Sequence, residues 1–76
     1  MPTNDGPRLG AVYRVAISAS DVGSRVTVRR KVDGGLGDVV GELLSWAEGR
    51  LVIRNRHGVE IAVAEDSLVA ARRVGP

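Results

Sequence analysis

The sequence predicts an all-β fold, a small barrel of about five antiparallel strands. Three runs of apolar and β-branched residues follow one another within residues 39–64. Two short turn signals, 47–49 and 55–58, separate these runs, and strand runs joined by short glycine-containing loops are typical of consecutive hairpins. Similar runs at 25–32 and 69–74 lie on either side of this meander and supply the remaining two strands.

Length and composition limit what such a chain can do. A protein of 76 residues forms one domain and buries roughly 60% of its unfolded surface, which leaves one thin core and no separate catalytic compartment. There is no cysteine, so disulfides and thiolate metal sites are excluded. No apolar run approaches the roughly 20 residues of a membrane span, and the N-terminus lacks the pattern of a signal peptide. We therefore expect a soluble, cytoplasmic protein that does not associate with a membrane.

The basic residues are almost all arginine. The net charge is +2, and the eleven basic residues comprise ten arginines and one lysine. The planar guanidinium suits phosphate and carboxylate recognition, but the accompanying abundance of Ala, Val and Gly also fits a GC-rich genome. We favour the codon-bias explanation, because the nine acidic residues are scattered among the bases and a small net charge produces only a weak long-range field.

The N-terminal region, residues 1–16, is predicted to be a flexible tail, with the barrel occupying residues 17–76. The first ten residues contain two prolines and two glycines and little that could be buried. Residues 11–17 are more apolar and either form a lead-in strand anchored by Tyr13 or are loosely held, which we favour. Residues 18–23 then predict a 3₁₀ turn, since serine and aspartate cap such turns and glycine tolerates positive φ.

The first strand and the loop after it come next. Within residues 25–32, Val26 and Val28 alternate with polar residues and are expected to face the core. The glycine-rich stretch 33–38 resembles a phosphate-binding loop only superficially, because neither Gly-Lys-Ser/Thr nor a helix N-terminus follows it. We predict a plain, flexible hairpin loop there.

The remaining strands have one irregular feature. Alternation in residues 39–46 is imperfect, and a bulge or sharp bend at Gly41 would explain this, because glycine inside a strand commonly marks such a site. A single 3₁₀ turn is predicted at 65–68, before the last strand. The core candidates contributed by the third and fourth strands are Leu51, Ile53, Ile61 and Val63.

Four stretches of the chain together resemble a known family. They are Asp-Val-Gly at 21–23 leading into Arg-Val-Thr-Val-Arg, Asp-Val-Val-Gly-Glu-Leu-Leu-Ser-Trp at 38–46, Gly-x-Leu-Val-Ile-Arg at 49–54 followed by His-Gly, and Ala-Ala-Arg-Arg-Val at 70–74. They resemble the SH3-like (Tudor-like) domain at the N-terminus of certain bacterial GNAT-family acetyltransferases, once described as histone acetyltransferases. The resemblance implies a small SH3-like barrel that serves as an accessory module and carries no catalytic residue of its own.

Catalysis is not expected of this chain. The GNAT catalytic domain binds acetyl-coenzyme A through a Gln/Arg-x-x-Gly-x-Gly/Ala turn, and no window of the sequence matches it. His57 is the only histidine, and in a glycine-containing turn it is predicted to be solvent-exposed rather than a metal ligand or a base. No serine lies in a Gly-x-Ser-x-Gly elbow. We expect neither an enzyme nor a cofactor or metal site.

Two functional hypotheses follow. The leading one is a protein-interaction module that contacts an acetyltransferase domain, another protein or a second copy of itself, through an edge strand or the region of Trp46. Its candidate partner surface comprises Trp46, Leu44 and Arg50, although a tryptophan at the end of a central strand is more often part of the core.

The alternative is a small basic barrel that binds the nucleic-acid backbone. Tyr13 and Trp46 are the only aromatic residues, too few for base stacking, a proline-rich peptide groove or a methyl-lysine cage. Backbone contacts alone would have to hold the ligand, and a solvated outer face is the commoner explanation of such arginines. The candidate phosphate contacts are Arg29, Arg54, Arg56 and Arg72.

Overall fold

The computed structural model describes residues 14–75 and shows one five-stranded antiparallel sheet in the order β4-β3-β2-β1-β5. A 3₁₀ turn at Ala19–Asp21 precedes the sheet, and a second one at Glu65–Ser67 lies between β4 and β5. The predicted all-β class, with five antiparallel strands and a 3₁₀ turn before the last of them, is confirmed. Within the described part of the chain, no helix is long and apolar enough to cross a membrane. The strands are β1 (Arg25–Val32), β2 (Gly35–Ala47), β3 (Arg50–Arg54), β4 (Glu60–Ala64) and β5 (Leu68–Arg73).

The core is aliphatic and is built from alternate positions of the strands. In β1, Val26 and Val28 are completely buried, as the alternation predicts. Ile61 differs from the expectation: it is only partly buried and packs against the core from the edge strand β4, which has a neighbour on one side only. The full set of buried hydrophobic residues is Ile17, Val26, Val28, Val39, Leu43, Leu51, Ile53, Val63 and Ala71.

The hairpin between β1 and β2 is tighter than the sequence suggests. Val32 pairs with Gly35, so the turn consists of Asp33 and Gly34 alone, and Gly34 adopts a φ of 84°. The six-residue loop expected over 33–38 is therefore wrong in extent. Gly35 and Gly37, which follow the turn, pair with β1. They can do so because the hydrogen bonds of a β ladder involve only backbone groups.

Strand β2 pairs with two partners in succession. Its first half runs beside β1, its second half runs beside β3, and Glu42 pairs on both sides. The register with β3 shifts between Leu43 and Ser45. A bulge therefore lies at Leu44, whereas Gly41 stays in register with β1. The other alternative for Gly41, a sharp bend, stays a prediction.

Gly41 is required for a different reason, a close backbone approach. A Cβ atom at this position would collide with the carbonyl group of Arg54 and lie 3.0 Å from the Cα of Asn55. The end of β3 therefore passes directly over residue 41, where only glycine leaves room. A close approach by another backbone is a common reason for glycine inside a strand.

The segment before the first 3₁₀ turn lies along β5. Residues 14–16 form a parallel bridge to Ala71, with two backbone hydrogen bonds of 2.8 and 3.0 Å. Pairing therefore begins inside the stretch 1–16 that the sequence assigns to a tail. The part before residue 14, including Tyr13, lies outside the described residues.

The first 3₁₀ turn is fixed by reciprocal capping. Ser18 accepts a hydrogen bond from the backbone of Ser20 at 3.3 Å, and its own N–H donates to a carboxylate oxygen of Asp21 at 2.8 Å. Gly23 follows with a φ of 98°. The predicted turn over 18–23 is therefore confirmed. Asp21 caps it as expected, whereas the capping serine is Ser18 and not Ser20.

Replacing Gly41 with alanine is expected to destabilise the fold. The added methyl group forces the backbones of β2 and β3 apart, and overpacking of this kind costs about 1–3 kcal/mol. For a domain of this size, each kcal/mol lowers the melting temperature by about 4–8 °C. Thermal and urea unfolding monitored by circular dichroism measure the change.

Gly37→Ala is the matched control for this experiment. The same added atom would lie 3.5 Å from the nearest side-chain carbon of Val32, an ordinary van der Waals contact, so the unfolding free energy should change by less than about 0.5 kcal/mol. Equal stability of the two variants would show that the approach of β3 does not require glycine at residue 41.

Candidate functional site

Trp46 closes one end of the core. It lies opposite Leu51 in the β2–β3 register and packs against the buried cluster. Its indole Nε1–H donates a 2.8 Å hydrogen bond to Oε1 of Glu65, in the second 3₁₀ turn. Tryptophan commonly combines a buried apolar ring with a satisfied N–H in this way. The interpretation of Trp46 as part of the core is therefore the one that its surroundings support.

Arg50 lies on the other face of the sheet. It pairs with Ala47 across β2 and with Ala64 across β4, so no large side chain stands beside it. It is exposed and forms no ion pair with another residue of 14–75. Because neighbouring residues of a strand point to opposite faces, Arg50 and the Trp46–Leu51 pair face different sides of the sheet.

Leu44 has no partner in the β2–β3 register, unlike Trp46 and Arg50. It is the extra residue at the register shift and is half-buried. The structure thus does not gather the three candidate partner residues into one surface: Trp46 faces the core, Arg50 faces outward, and Leu44 occupies the bulge.

A different surface surrounds Arg50. Val52, two residues further along β3, is half-buried and lies between Ser45 and Ala62. We call this surface the β3 outer face. The residues directly opposite Val52 and Arg50 in the adjoining strands are all small. The members of the β3 outer face are Ser45, Ala47, Arg50, Val52, Ala62 and Ala64.

The edges of the sheet are partly capped from within the chain. On β4, Arg30 donates from Nη1 to the carbonyl of Ala62 at 3.3 Å, and Ser67 donates to the carbonyl of Ala64 at 2.6 Å. On β5, the N–H and the carbonyl of Ala71 are both taken by residues 14–16. Covered edges are poor templates for a further strand, so the outer faces are the more accessible surfaces.

Two of the four candidate phosphate contacts are already paired with carboxylates. Arg29 forms a two-pronged ion pair with Asp38, with Nε–Oδ1 at 2.8 Å and Nη2–Oδ2 at 3.1 Å. Arg54 Nη2 lies 2.8 Å from a carboxylate oxygen of Glu42. A phosphate ligand would have to compete with these partners. Arg72, exposed on β5, forms no ion pair with any other described residue.

Arg56 is not on a strand. Strand β3 ends at Arg54, and Arg56, a candidate phosphate contact, lies in the turn to β4. The side-chain oxygen of Asn55 fixes this turn by accepting from the backbone N–H groups of His57 at 2.9 Å and Val59 at 3.0 Å. His57 is exposed there, as predicted.

The ion pair with Arg29 affects the ionisation of Asp38. Hydrogen bonds from the guanidinium, assisted by its charge, hold the pKa of the Asp38 carboxyl below its ordinary value of 3.8, although slight desolvation acts in the opposite direction. Asp38 is therefore fully ionised at neutral pH. Both residues are substantially exposed, so the pair specifies strand register more than it stabilises the fold.

Two side-chain contacts, Trp46 with Glu65 and Arg29 with Asp38, were not predicted from the sequence. Glu65 has the pattern of a turn residue, and no local signal connects it with Trp46, 19 residues away. The Arg29–Asp38 pair, by contrast, has a usable signal. Arg29 precedes Asp33 by as many residues as Asp38 follows Gly34. A two-residue turn at Asp33 and Gly34 therefore places Arg29 and Asp38 opposite one another.

No metal site emerges from the residues that the structure describes. Within 14–75, no three histidine, cysteine, aspartate or glutamate side chains lie close enough together to hold an ion. Nor does this part of the chain contain a buried polar or charged residue.

The hydrogen bond between Trp46 and Glu65 is expected to stabilise the second 3₁₀ turn. Glu65→Ala should lower the unfolding free energy by about 1 kcal/mol, whereas Glu65→Gln, which keeps an acceptor oxygen, should lower it less. In a Trp46→Phe background the donor is absent, so Glu65→Ala should then cost almost nothing. Urea denaturation of the four proteins in this double-mutant cycle measures the coupling; an equal cost in both backgrounds would contradict it.

The pKa of Asp38 is expected to depend on Arg29. In a ¹³C NMR titration the carboxyl should titrate below 3.8, and in Arg29→Gln it should return towards that value. Because the folded-state pKa is depressed, the contribution of the pair is present above the unfolded-state pKa and is lost as the pH falls through the folded-state pKa. An unchanged titration in Arg29→Gln would show that Arg29 is not the cause.

Comparison with known proteins identifies a family for this fold. A family model described as the Rv0428c N-terminal Sm-like domain matches residues 20–72, a range that contains all five strands except the last residue of β5. No curated protein and no solved structure matches the chain. The expected small β-barrel domain agrees with the family's description. Because the match covers more than half of the sequence, the chain belongs to the Rv0428c N-terminal Sm-like domain family.

Proposed function

We propose that this Sm-like domain is a non-catalytic interaction module that contacts its partner through the β3 outer face. The observation that carries the proposal is the composition of that face. Arg50 and Val52 lie opposite alanines and a serine of the adjoining strands, and Arg54 follows them on the same face of β3. Arginine is enriched in protein interfaces, and an exposed arginine beside small residues gives a partner both a charge and a flat surface to pack against.

The size of the domain favours a sheet face as the contact surface. An interface of ordinary size takes about 800 Å² from each partner, a sizeable fraction of the 4894 Å² that the protein exposes. The sheet edges are partly capped, by Arg30 on β4 and by residues 14–16 on β5. A face can therefore supply this area without displacing contacts within the chain.

The partner in this proposal is an acetyltransferase domain of the GNAT family, with a second copy of the chain as the other candidate. The resemblance to the accessory barrels of such enzymes supports the first choice. The family description adds that the domain stands at the N-terminus of the protein after which the family is named. In this arrangement the catalytic chemistry belongs to the partner, and the complex acts in the cytoplasm.

The absence of catalysis by the domain itself is part of the proposal. His57 lies in an exposed turn, where no second described side chain positions it for acid–base chemistry. Among residues 14–75 the core contains only hydrophobic side chains. Neither arrangement supplies the positioned, partly desolvated groups on which general acid–base catalysis depends.

Val52→Arg is expected to disrupt the proposed complex. A charged side chain at the centre of the β3 outer face should weaken binding by at least about tenfold, equivalent to 1.4 kcal/mol. The measurement is isothermal titration calorimetry against the GNAT catalytic domain encoded in the same or the adjacent reading frame, with light scattering of the isolated chain to detect a dimer.

The control is Val59→Arg, which introduces the same charge at an exposed valine outside the β3 outer face. It should leave the affinity within about twofold of the wild type, a difference of roughly 0.4 kcal/mol. Equal weakening by both variants would show that the β3 outer face is not the contact surface. A monomeric chain with no measurable affinity for that domain would refute the proposal.

A further inference from the structure

Strands β1 and β5 concentrate the positive charge of the protein. Together they contain six basic residues and no acidic one, although the whole chain carries a net charge of only +2. The two strands are neighbours in the sheet. Four of the six basic residues, Arg25, Arg29, Lys31 and Arg72, share the outward-facing positions of Thr27. Arg73 lies opposite the buried Val26, and Arg30 has the same parity as Val26 and Val28. The six are Arg25, Arg29, Arg30, Lys31, Arg72 and Arg73.

Carboxylates on the neighbouring elements are already engaged. Asp38 accepts hydrogen bonds from both Nε and Nη2 of Arg29. Glu42 lies opposite Arg25 in the β1–β2 register, but its carboxylate pairs with Arg54 at 2.8 Å. Asp21 lies 3.8 Å from Arg73. Arg25 and Arg72, like Arg30, form no ion pair with any other described residue. Of these three, only Arg25 and Arg72 share the outward-facing positions of Thr27.

These two arginines flank a hydroxyl group. Thr27 and Arg72 lie directly opposite one another in the β1–β5 register. Arg25 is the diagonal neighbour of Arg72 on the same face, and diagonal neighbours lie within reach of long side chains. Thr27 is half-buried, and its hydroxyl has no hydrogen-bond partner within 14–75. The two long cationic side chains can therefore converge above a fixed donor.

The arrangement is electrostatically unfavourable when empty. Arg72 has arginines on both diagonals, Arg25 and Arg29. Arg29 is paired with Asp38, so the repulsion between like charges acts mainly between Arg25 and Arg72. An anion placed between the guanidinium groups would relieve this repulsion and accept charge-assisted hydrogen bonds, which are about twice as strong as neutral ones.

We propose that Arg25, Thr27 and Arg72 form a phosphate-binding site on the outer face of β1 and β5, and that its ligand is the phosphodiester backbone of a nucleic acid. Two planar guanidinium groups and a hydroxyl supply donors from several directions, which suits a tetrahedral oxyanion. The site lies on different strands from the β3 outer face, so this second binding activity goes beyond the proposed protein contact.

Two neighbouring features favour a nucleic-acid backbone over an isolated phosphate. Val40 lies opposite Thr27 on β2 and is 40% exposed, which offers an apolar contact for a sugar. Lys31 continues the outward-facing positions of β1 beyond the site, so a polyanion running along the strand meets a further cation. Backbone contacts of this kind are independent of sequence and weaken steeply with salt.

The test measures binding of a fluorescently labelled single-stranded oligonucleotide by anisotropy over a range of salt concentrations. Arg25→Gln/Arg72→Gln should lower the affinity at low salt by at least about tenfold. It should also reduce the salt slope by about 0.7 for each phosphate that the variant no longer neutralises. Thr27→Val should weaken binding without changing the slope, because it removes a neutral donor.

The control variant Val22→Glu/Val59→Glu lowers the net charge by the same two units, at two exposed valines that belong to neither proposed surface. Its affinity should stay within about threefold of the wild type, since only the general electrostatic attraction is reduced. Thermal unfolding of each variant verifies that the fold is retained. Equal losses of affinity in the two double variants, or no binding at the lowest salt, would overturn the proposed site.

Two further binding measurements identify which class of anion the site prefers. Inorganic phosphate that shifts the amide resonances of Thr27 and Arg72, without any oligonucleotide binding, would support the phosphate chemistry and overturn the nucleic-acid ligand. A polyglutamate peptide that binds as tightly as the oligonucleotide, with the same dependence on Arg25 and Arg72, would assign the site to acidic proteins and overturn the phosphate proposal.

Discussion

The pairing of β1 with β5 is the interaction on which the rest of the structure depends. Strands β1 to β4 follow one another as a meander whose contacts are local in sequence, whereas β1 and β5 join residues near 26 to residues near 72. This pairing places Ala71 opposite the fully buried Val28. Bringing β1 and β5 together costs loop-closure entropy, and this cost is offset only when the core packs. The pairing therefore makes folding of the domain cooperative.

The domain is stabilised by hydrophobic packing and backbone pairing with little help from elsewhere. It has no cysteine to form a disulfide, and the ion pairs that the structure describes lie on its surface, where such pairs contribute at most about 1 kcal/mol each. A thin aliphatic core tolerates little change in volume. This explains why the close approach over Gly41 matters: a single methyl group there disturbs the junction at which β2 passes from one partner strand to the other.

A core of this kind leaves the outer surfaces to carry function. The two outer faces differ in chemistry. The β3 outer face carries mostly small residues around Arg50, with the ion-paired Arg54 next along the strand, whereas the outer face of β1 and β5 carries several basic residues. We propose that the first contacts a protein partner and that the second contacts a polyanion.

The sequence by itself determined the fold class, the order of the elements, the 3₁₀ turn before the last strand and most of the core. These features depend on local alternation and on turn residues, which leave a direct pattern in the sequence. Val26, Val28, Leu51, Ile53 and Val63 followed from that alternation. The tertiary structure decided the two-residue turn at Asp33 and Gly34, the position of the bulge, the Trp46–Glu65 hydrogen bond and the carboxylate partners of Arg29 and Arg54. Each of these depends on strand register or on contacts between distant residues, and a register fixed by many weak interactions at once cannot be read from any short stretch of the chain.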